Sequence, residues 1–199
     1  GSWQPGPGLD LFARVQGALP HLALVAEDLG HVTPAVDALR DALGVPGMRV
    51  LLFGFGPEMA SSPHVPHNHD RASVLYLGTH DNPTARGWFE EASDEERSRL
   101  ARYIGRPVDA KTVADVLVRL CLQSVAGTAI VSLQDHLGLG VGARMNLPGT
   151  PFGNWEWRCH PESLSAALAA RLADLASIFG RTVPPAPGGT PLESDSTPT

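Results

Sequence analysis

Cysteine is scarce in this 199-residue sequence, which has only Cys121 and Cys159. Cys121 falls on the apolar face of a predicted helix and Cys159 in a polar, Trp-rich segment. Two such residues make neither a disulfide framework nor a zinc site, so a reducing, cytoplasmic setting is the default expectation. Positive charge is also in short supply. Fifteen Lys and Arg stand against 21 Asp and Glu, a formal net charge of −6, and nonspecific nucleic-acid binding needs the opposite balance. No uninterrupted apolar stretch approaches the roughly 20 residues that cross a bilayer. The N-terminus carries no basic segment followed by an apolar core, so no signal peptide is recognisable. A phosphate-binding fingerprint is missing as well. Gly138, Gly140 and Gly142 resemble a glycine-rich loop only superficially, because no Gly-Lys-Ser/Thr or dinucleotide pattern follows.

What is present is an ordinary globular composition, 43% hydrophobic and 18% charged. The length suits one domain that buries roughly 70% of its unfolded surface. A first strand is predicted over 22–27, followed by a helix capped by Thr33, opened by Pro34 and running to about Leu43. Gly44 and Pro46-Gly47 end that helix. Met48–Phe55 is nearly continuously apolar, as expected of a parallel strand buried on both faces. A Pro/His/Ser loop spans 56–72, and a third strand spans 73–78. Two short helices come next, the second opened by a capping box of Ser93 and Glu96. Over Thr112–Ser124, Val113, Val116, Leu117, Leu120 and Cys121 recur at helical spacing. A fourth strand is predicted at Thr128–Leu133. A final helix places Leu164, Leu168, Leu172, Leu175 and Phe179 on one face. The order of elements indicates an α/β fold with a parallel sheet. Residues 1–180 form the folded unit, and the Pro/Gly/Ser/Thr-rich stretch 181–199 reads as a disordered tail.

Two acidic residues stand where strands should stop and helices follow: Glu27 after Leu22-Ala23-Leu24-Val25-Ala26, and Asp81 in Gly78-Thr79-His80-Asp81-Asn82. In a (β/α) barrel the active site is assembled at these strand ends. Two carboxylates converging there can divide acid/base work from stabilisation of a cationic transition state. Competing patterns are weaker. His64, His67, His69 and Asp70 have the residue types of a metal site, but Pro63 and Pro66 break any helix that would align the rings, so a cleft-lining loop is the better reading. Asp94-Glu95-Glu96 reads as a favourable first helical turn. Trp155 and Trp157 flank Glu156, an alternation that more often packs one Trp inward than leaves both faces free for stacking.

Several motifs occur in order: Ala26-Glu27-Asp28-Leu29-Gly30, Pro46-Gly47-Met48, Pro66-His67-Asn68, Gly78-Thr79-His80-Asp81-Asn82, Gln134-Asp135, Ala143-Arg144-Met145-Asn146-Leu147-Pro148-Gly149-Thr150 and Asn154-Trp155-Glu156-Trp157-Arg158. Together, from about Trp3 to Phe179, the sequence resembles the C-terminal half of the 4-α-glucanotransferases, the amylomaltases or disproportionating enzymes of the α-amylase clan. The resemblance implies a retaining transglycosylase on a (β/α)8 TIM barrel, with the four predicted strands as strands five to eight. It implies Glu27 as general acid/base, Asp81 as transition-state stabiliser and His80 as a sugar-hydroxyl ligand. Asn146 would lie in a loop approaching the glucan, and Asp28 would either contact substrate or support the site by hydrogen bonding. The implied partners are α-1,4-glucans such as maltose, maltotriose and maltodextrin. No organic cofactor and no metal are implied.

One departure matters. The family's nucleophile is an aspartate at the end of the fourth strand, and no Arg-x-Asp-His pattern stands upstream of Glu27. Asp10, the only carboxylate before Glu27, lies in a Gly/Pro-rich turn region. A smaller departure is His69, where the family usually has an aromatic. The expectation is therefore a fragment that lacks the N-terminal half of its barrel and is inactive alone. The alternative is a non-catalytic glucan-binding or regulatory half-barrel. Four strands by themselves would leave two raw edges and an open apolar face, so a poorly soluble or molten chain is expected.

Overall fold

A computed structural model describes residues 1–2, 4–30 and 32–182. Its centre is a three-stranded, all-parallel sheet in the order β1 (Gly47–Val50), β2 (Ser73–Tyr76), β3 (Thr128–Ile130). Gly47 pairs with Ser73, and Val74 pairs with Thr128. Helices α1 (Leu9–Ala18) and α2 (Pro34–Leu43) precede the sheet. Between β2 and β3 run α3 (Ala85–Glu91), α4 (Asp94–Ile104) and α5 (Val113–Leu122). After β3 come the single turn α6 (Leu133–His136) and α7 (Ala166–Ile178).

The local signals act largely as read. Pro34 opens α2, and Gly44 closes it at φ 63°, a left-handed conformation that glycine adopts without strain. Ser93 and Glu96 form both bonds of the capping box on α4. Helix α5 is apolar nearly all round because it is enclosed: Val113, Leu117, Val118 and Cys121 are fully buried. They pack with Leu51, Leu52 and Phe55 after β1, Leu75 and Leu77 of the second-strand region, Phe89 of α3, Leu100 of α4 and Leu175 of α7. The two-residue alternation of a strand then sends Tyr76 the opposite way, into a cleft. Burial pushes the Cys121 thiol up to about 12, so it behaves as a small core hydrophobe.

Six expectations change. Asp10, expected in a turn region, lies in the first turn of α1, and the strand expected over Thr128–Leu133 stops at Ile130, with Leu133 opening α6 behind a Ser132 cap. The segment 22–27 is not a strand of the sheet. It makes one parallel bridge, Ala26 to Gly47, with the Ala26 N–H donating to the Pro46 carbonyl at 2.9 Å. Among the described residues no other strand pairs with it, and Leu22 and Val25 are about half exposed (48% and 51%). Met48–Phe55 shortens to β1 because the chain turns at Leu51–Phe53 into a 3-10 segment. A fully buried apolar run cannot reveal by periodicity where a strand gives way to a turn. Leu164 lies before α7 and is 61% exposed, so the apolar face of that helix begins later. Arg181, read as the start of the tail, is instead tied down: its guanidinium donates to the carbonyls of Leu122 (3.0 Å), Ala126 (2.8 Å) and Ser124 (2.6 Å). The Leu122 carbonyl is one that the end of α5 leaves without a helical partner, and the other two belong to the link from α5 to β3. The rest of the expected tail, 183–199, lies outside the described residues.

The core assignment is testable by urea denaturation. Leu117→Ala, at 0% exposure, is expected to cost about 2–5 kcal/mol. Leu164→Ala, on the same predicted kind of apolar spacing but exposed, is expected to cost less than about 0.5 kcal/mol. Equal losses would place Leu164 in the core after all.

Candidate active site

The cleft at the C-terminal ends of the strands has a volume of about 800 Å³. Its walls come from the chain just past each strand: Glu27 and Leu29 beside β1, Tyr76 to Thr84 from β2 onward, and Ile130 to Asp135 from β3 onward. Ala143, Arg144 and Met145 close one side. Glu27, His80 and Asp81 therefore share one cavity although 53 or more residues separate the first from the others in sequence. All three are exposed.

The Asp81 loop is built by short-range bonds. The Asn82 side-chain carbonyl accepts from the Thr79 N–H at 2.8 Å and from its hydroxyl at 2.9 Å. That turn directs the Asp81 carboxylate outward. Its Oδ1 accepts from Asn146 Nδ2 at 2.6 Å and lies 3.4 Å from His80 Nε2. Arg144 completes the arrangement. Its Nη2 donates to the Asp81 carbonyl at 2.5 Å and its Nε to the Asn146 carbonyl at 2.8 Å, while the Asn146 N–H donates to the His80 carbonyl at 3.1 Å. One guanidinium thus pins two loops that meet across the sheet ends.

Asp28 takes the supporting side of its two readings. It is absent from the cleft wall, and its carboxylate is 3% exposed. The Met48 N–H donates to Oδ1 at 2.6 Å, and Arg40 (2.5 Å) and Arg49 (3.3 Å) donate to Oδ2. Burial by itself would raise its pKa, but the Met48 amide and the two guanidiniums outweigh that and hold it below the ordinary carboxylate value. Gly47 permits the approach, since any Cβ there would collide with the Asp28 carboxylate. The segment bearing Glu27 is held on the sheet by this bond set and the Ala26 bridge.

Asp135 is a second buried carboxylate at the cleft floor (3% exposed). It accepts from the Ala85 N–H at 2.7 Å, which caps α3, and from the Ser132 hydroxyl at 2.8 Å. Burial raises its pKa more than those two donors lower it. The histidine loop, expected to line the cleft, contributes nothing to its wall and is structural: His67 bridges Tyr103 and the Ala60 carbonyl, His69 bonds Ser124, and His64 accepts from the Val50 N–H at 3.1 Å. Among the described residues no group of three His, Cys, Asp or Glu could hold a metal ion. Nor is any described helix long and apolar enough to cross a membrane.

Residue-by-residue reading missed Arg144 and Asp135 as site components. Both stand inside the quoted motifs, and no spacing rule assigns a side chain to a backbone partner 50 or more residues away. The sequence pattern does not decide which way Trp155 faces. That residue is the one non-glycine among the described residues with a positive φ, 64°, a conformation that costs an L-residue about 1–2 kcal/mol. Its ring lies against His80, with centroids 5.0 Å apart and an interplanar angle of 36°.

The pH dependence of stability tests the Asp28 tie. A depressed carboxylate stabilises the fold above its unfolded-state pKa, and that contribution is lost as pH falls through the folded-state value. Asp28→Asn is expected to lose about 2–4 kcal/mol at pH 7. The gap to the parent should persist down to about pH 4 and close below it. A gap that does not depend on pH would mean the ion pairs contribute nothing.

Comparison with known proteins agrees with this geometry. The 4-alpha-glucanotransferase model of the glycoside hydrolase 77 family matches residues 1–165. The chain is 44% identical over 185 residues to 4-alpha-glucanotransferase of Synechocystis sp., covering 92% of this chain and 36% of the relative. It is 44% identical over 188 residues to 4-alpha-glucanotransferase of Thermus thermophilus, covering 91% and 37%. In structure it is similar to amylomaltase from Streptococcus agalactiae in complex with acarbose, with TM-score 0.84 and 35% identity over 90% of this chain and 36% of that one. The chain thus spans a little over a third of the length of these relatives. With the motifs in order, the strand-end cleft and these matches in agreement, the chain belongs to the 4-alpha-glucanotransferase family.

Proposed function

We propose that this chain carries the acid/base and stabilising residues of a retaining 4-α-glucanotransferase, which moves α-1,4-glucan segments between maltodextrins. The observation that carries the reading is that Glu27 and Asp81, with His80 beside Asp81, open into one cleft at the strand ends. Membership in the family supplies the chemistry. On this reading the sheet and the Ala26-bridged segment are the fifth to eighth strand positions of a (β/α)8 barrel. The exposed Leu22 and Val25 then face neighbouring barrel strands. Two free cysteines suit a reducing, cytoplasmic compartment.

The mechanism follows from the residue types. Glu27 protonates the departing glycosidic oxygen as a separate carboxylate attacks the anomeric carbon, and a glycosyl-enzyme forms. Glu27, now ionised, then takes the proton from the 4-hydroxyl of an acceptor glucan, and the new glycosidic bond releases the enzyme carboxylate. Asp81 accepts hydrogen bonds from hydroxyls of the donor ring, and its charge opposes the positive charge developing there. Asn146 and Arg144 keep that carboxylate and its loop aimed. His80 is a second hydroxyl ligand, and Asp28 positions Glu27 without touching substrate. No carboxylate of these residues is assigned as nucleophile, so that group comes from the part of the enzyme beyond this span.

The test is a chimera in which residues 1–182 replace the matched region of the Thermus thermophilus relative, assayed for glucose release from maltotriose. The chimera is expected to be active. Glu27→Gln should lower its rate by roughly 10²–10⁴-fold, and Asp81→Asn by roughly 10²–10³-fold. Full activity in either variant would remove that residue from the mechanism. Residues 1–199 alone should release no glucose, and activity there would mean that the nucleophile lies within them.

A further inference from the structure

The ring of Trp155 lies against the cleft-lining His80 and outside the core. Among the described tryptophans, Trp88 packs against the core and Trp157 is half-buried, whereas Trp155 is 52% exposed. An exposed tryptophan in a loop usually follows the backbone. Here the backbone is held for the ring instead, in the left-handed region that a bulky side chain avoids. Strong local bonds hold it there. The Trp155 N–H donates to the Met145 carbonyl at 2.6 Å, and its carbonyl accepts from Arg158 at 2.8 Å. The preceding Asn154 staples its own loop, accepting from the Leu147 N–H at 2.8 Å and donating to the Thr150 carbonyl at 2.9 Å. Strain that persists because its surroundings over-determine it is a mark of a functional position.

The ring is also aimed. It rests on the His80 imidazole, which lines the cleft, and leaves about half the residue open to solvent. A flat aromatic face, negative at its centre, suits the positively polarised C–H groups on one side of a pyranose. A rigid ring with two torsions also offers that area at low entropic cost.

We propose that Trp155 is a sugar-stacking platform at the rim of the cleft, which binds a glucosyl unit of the glucan chain and fixes the orientation of His80. The proposal rests on the glucanotransferase reading and adds a specificity-determining residue to it. The His80 contact makes the platform continuous with the Asp81 side of the site, so a sugar on the ring is in register with one held by His80.

Acarbose binding to the chimera, measured by calorimetry, decides the matter. Trp155→Gly suits the positive φ and removes the ring alone, and it is expected to weaken binding about ten-fold. Trp155→Phe should stay within about two-fold of the parent, whereas Trp155→Leu, apolar but not flat, should resemble the glycine variant. Circular dichroism and Tm identify any variant that fails to fold, and the Phe and Leu pair decides the question if glycine does. Equal binding by the Phe and Leu variants would overturn the platform and leave the assignment of Glu27 and Asp81 intact. A parent chimera that does not bind acarbose would overturn the glucan-site reading and the platform together.

Discussion

The Asp28 carboxylate does for this structure what a strand pairing does elsewhere. The segment that presents Glu27 has one bridge to the sheet, at Ala26, and would fray if that were all. Instead a buried anion accepts a backbone hydrogen bond from Met48 at the start of β1 and is shared by Arg40 of α2 and Arg49 of β1. Such a group stays ionised in a buried place only because donors surround it. The same three contacts therefore fix the segment, the helix that follows it and the first strand as one piece. Gly47 belongs to this device, since it leaves room for the carboxylate.

The other side of the cleft uses a different solution to the same problem. Loops beyond strand ends have no sheet hydrogen bonds, so side chains must hold them. Asn82 closes the turn before Asp81, Arg144 reaches carbonyls in two loops, and Asp135 receives the N-terminus of α3. Placing His80 and Asp81 on such tightly bonded loops keeps them exposed without leaving them loose. Glu27, His80 and Asp81 stay in solvent while Asp28, Asn82, Arg144 and Asn146 around them are half-buried.

Trp155 fits this pattern and strains it. Its loop is bonded as firmly as the others, yet the bonding holds an unfavourable backbone and an exposed ring. Natural sequences are locally consistent nearly everywhere, and places where a local rule is broken tend to be functional. The histidine-rich loop is the contrasting case. His64, His67 and His69 look chemically promising in sequence, but each has a structural hydrogen bond, and burial lowers the pKa of His64 and His69.

The sequence by itself determined the α/β class, the Pro34 start and Gly44 stop of α2, the capping box of α4 and the buried face of α5, and it singled out Glu27, His80 and Asp81 by motif. Those features are local or periodic: a cap needs four residues, a helix face needs two turns, and a motif needs five. Only the tertiary structure decided that 22–27 is held by a bridge and not paired along its length, since pairing depends on a neighbour and not on the segment's own pattern. It also decided that Met48–Phe55 turns after Val50, that Arg181 belongs to the fold, and that Asp28 faces Arg40 and Arg49 instead of the cleft. Each of those outcomes rests on a contact between residues far apart in the chain, and periodicity carries no record of such contacts.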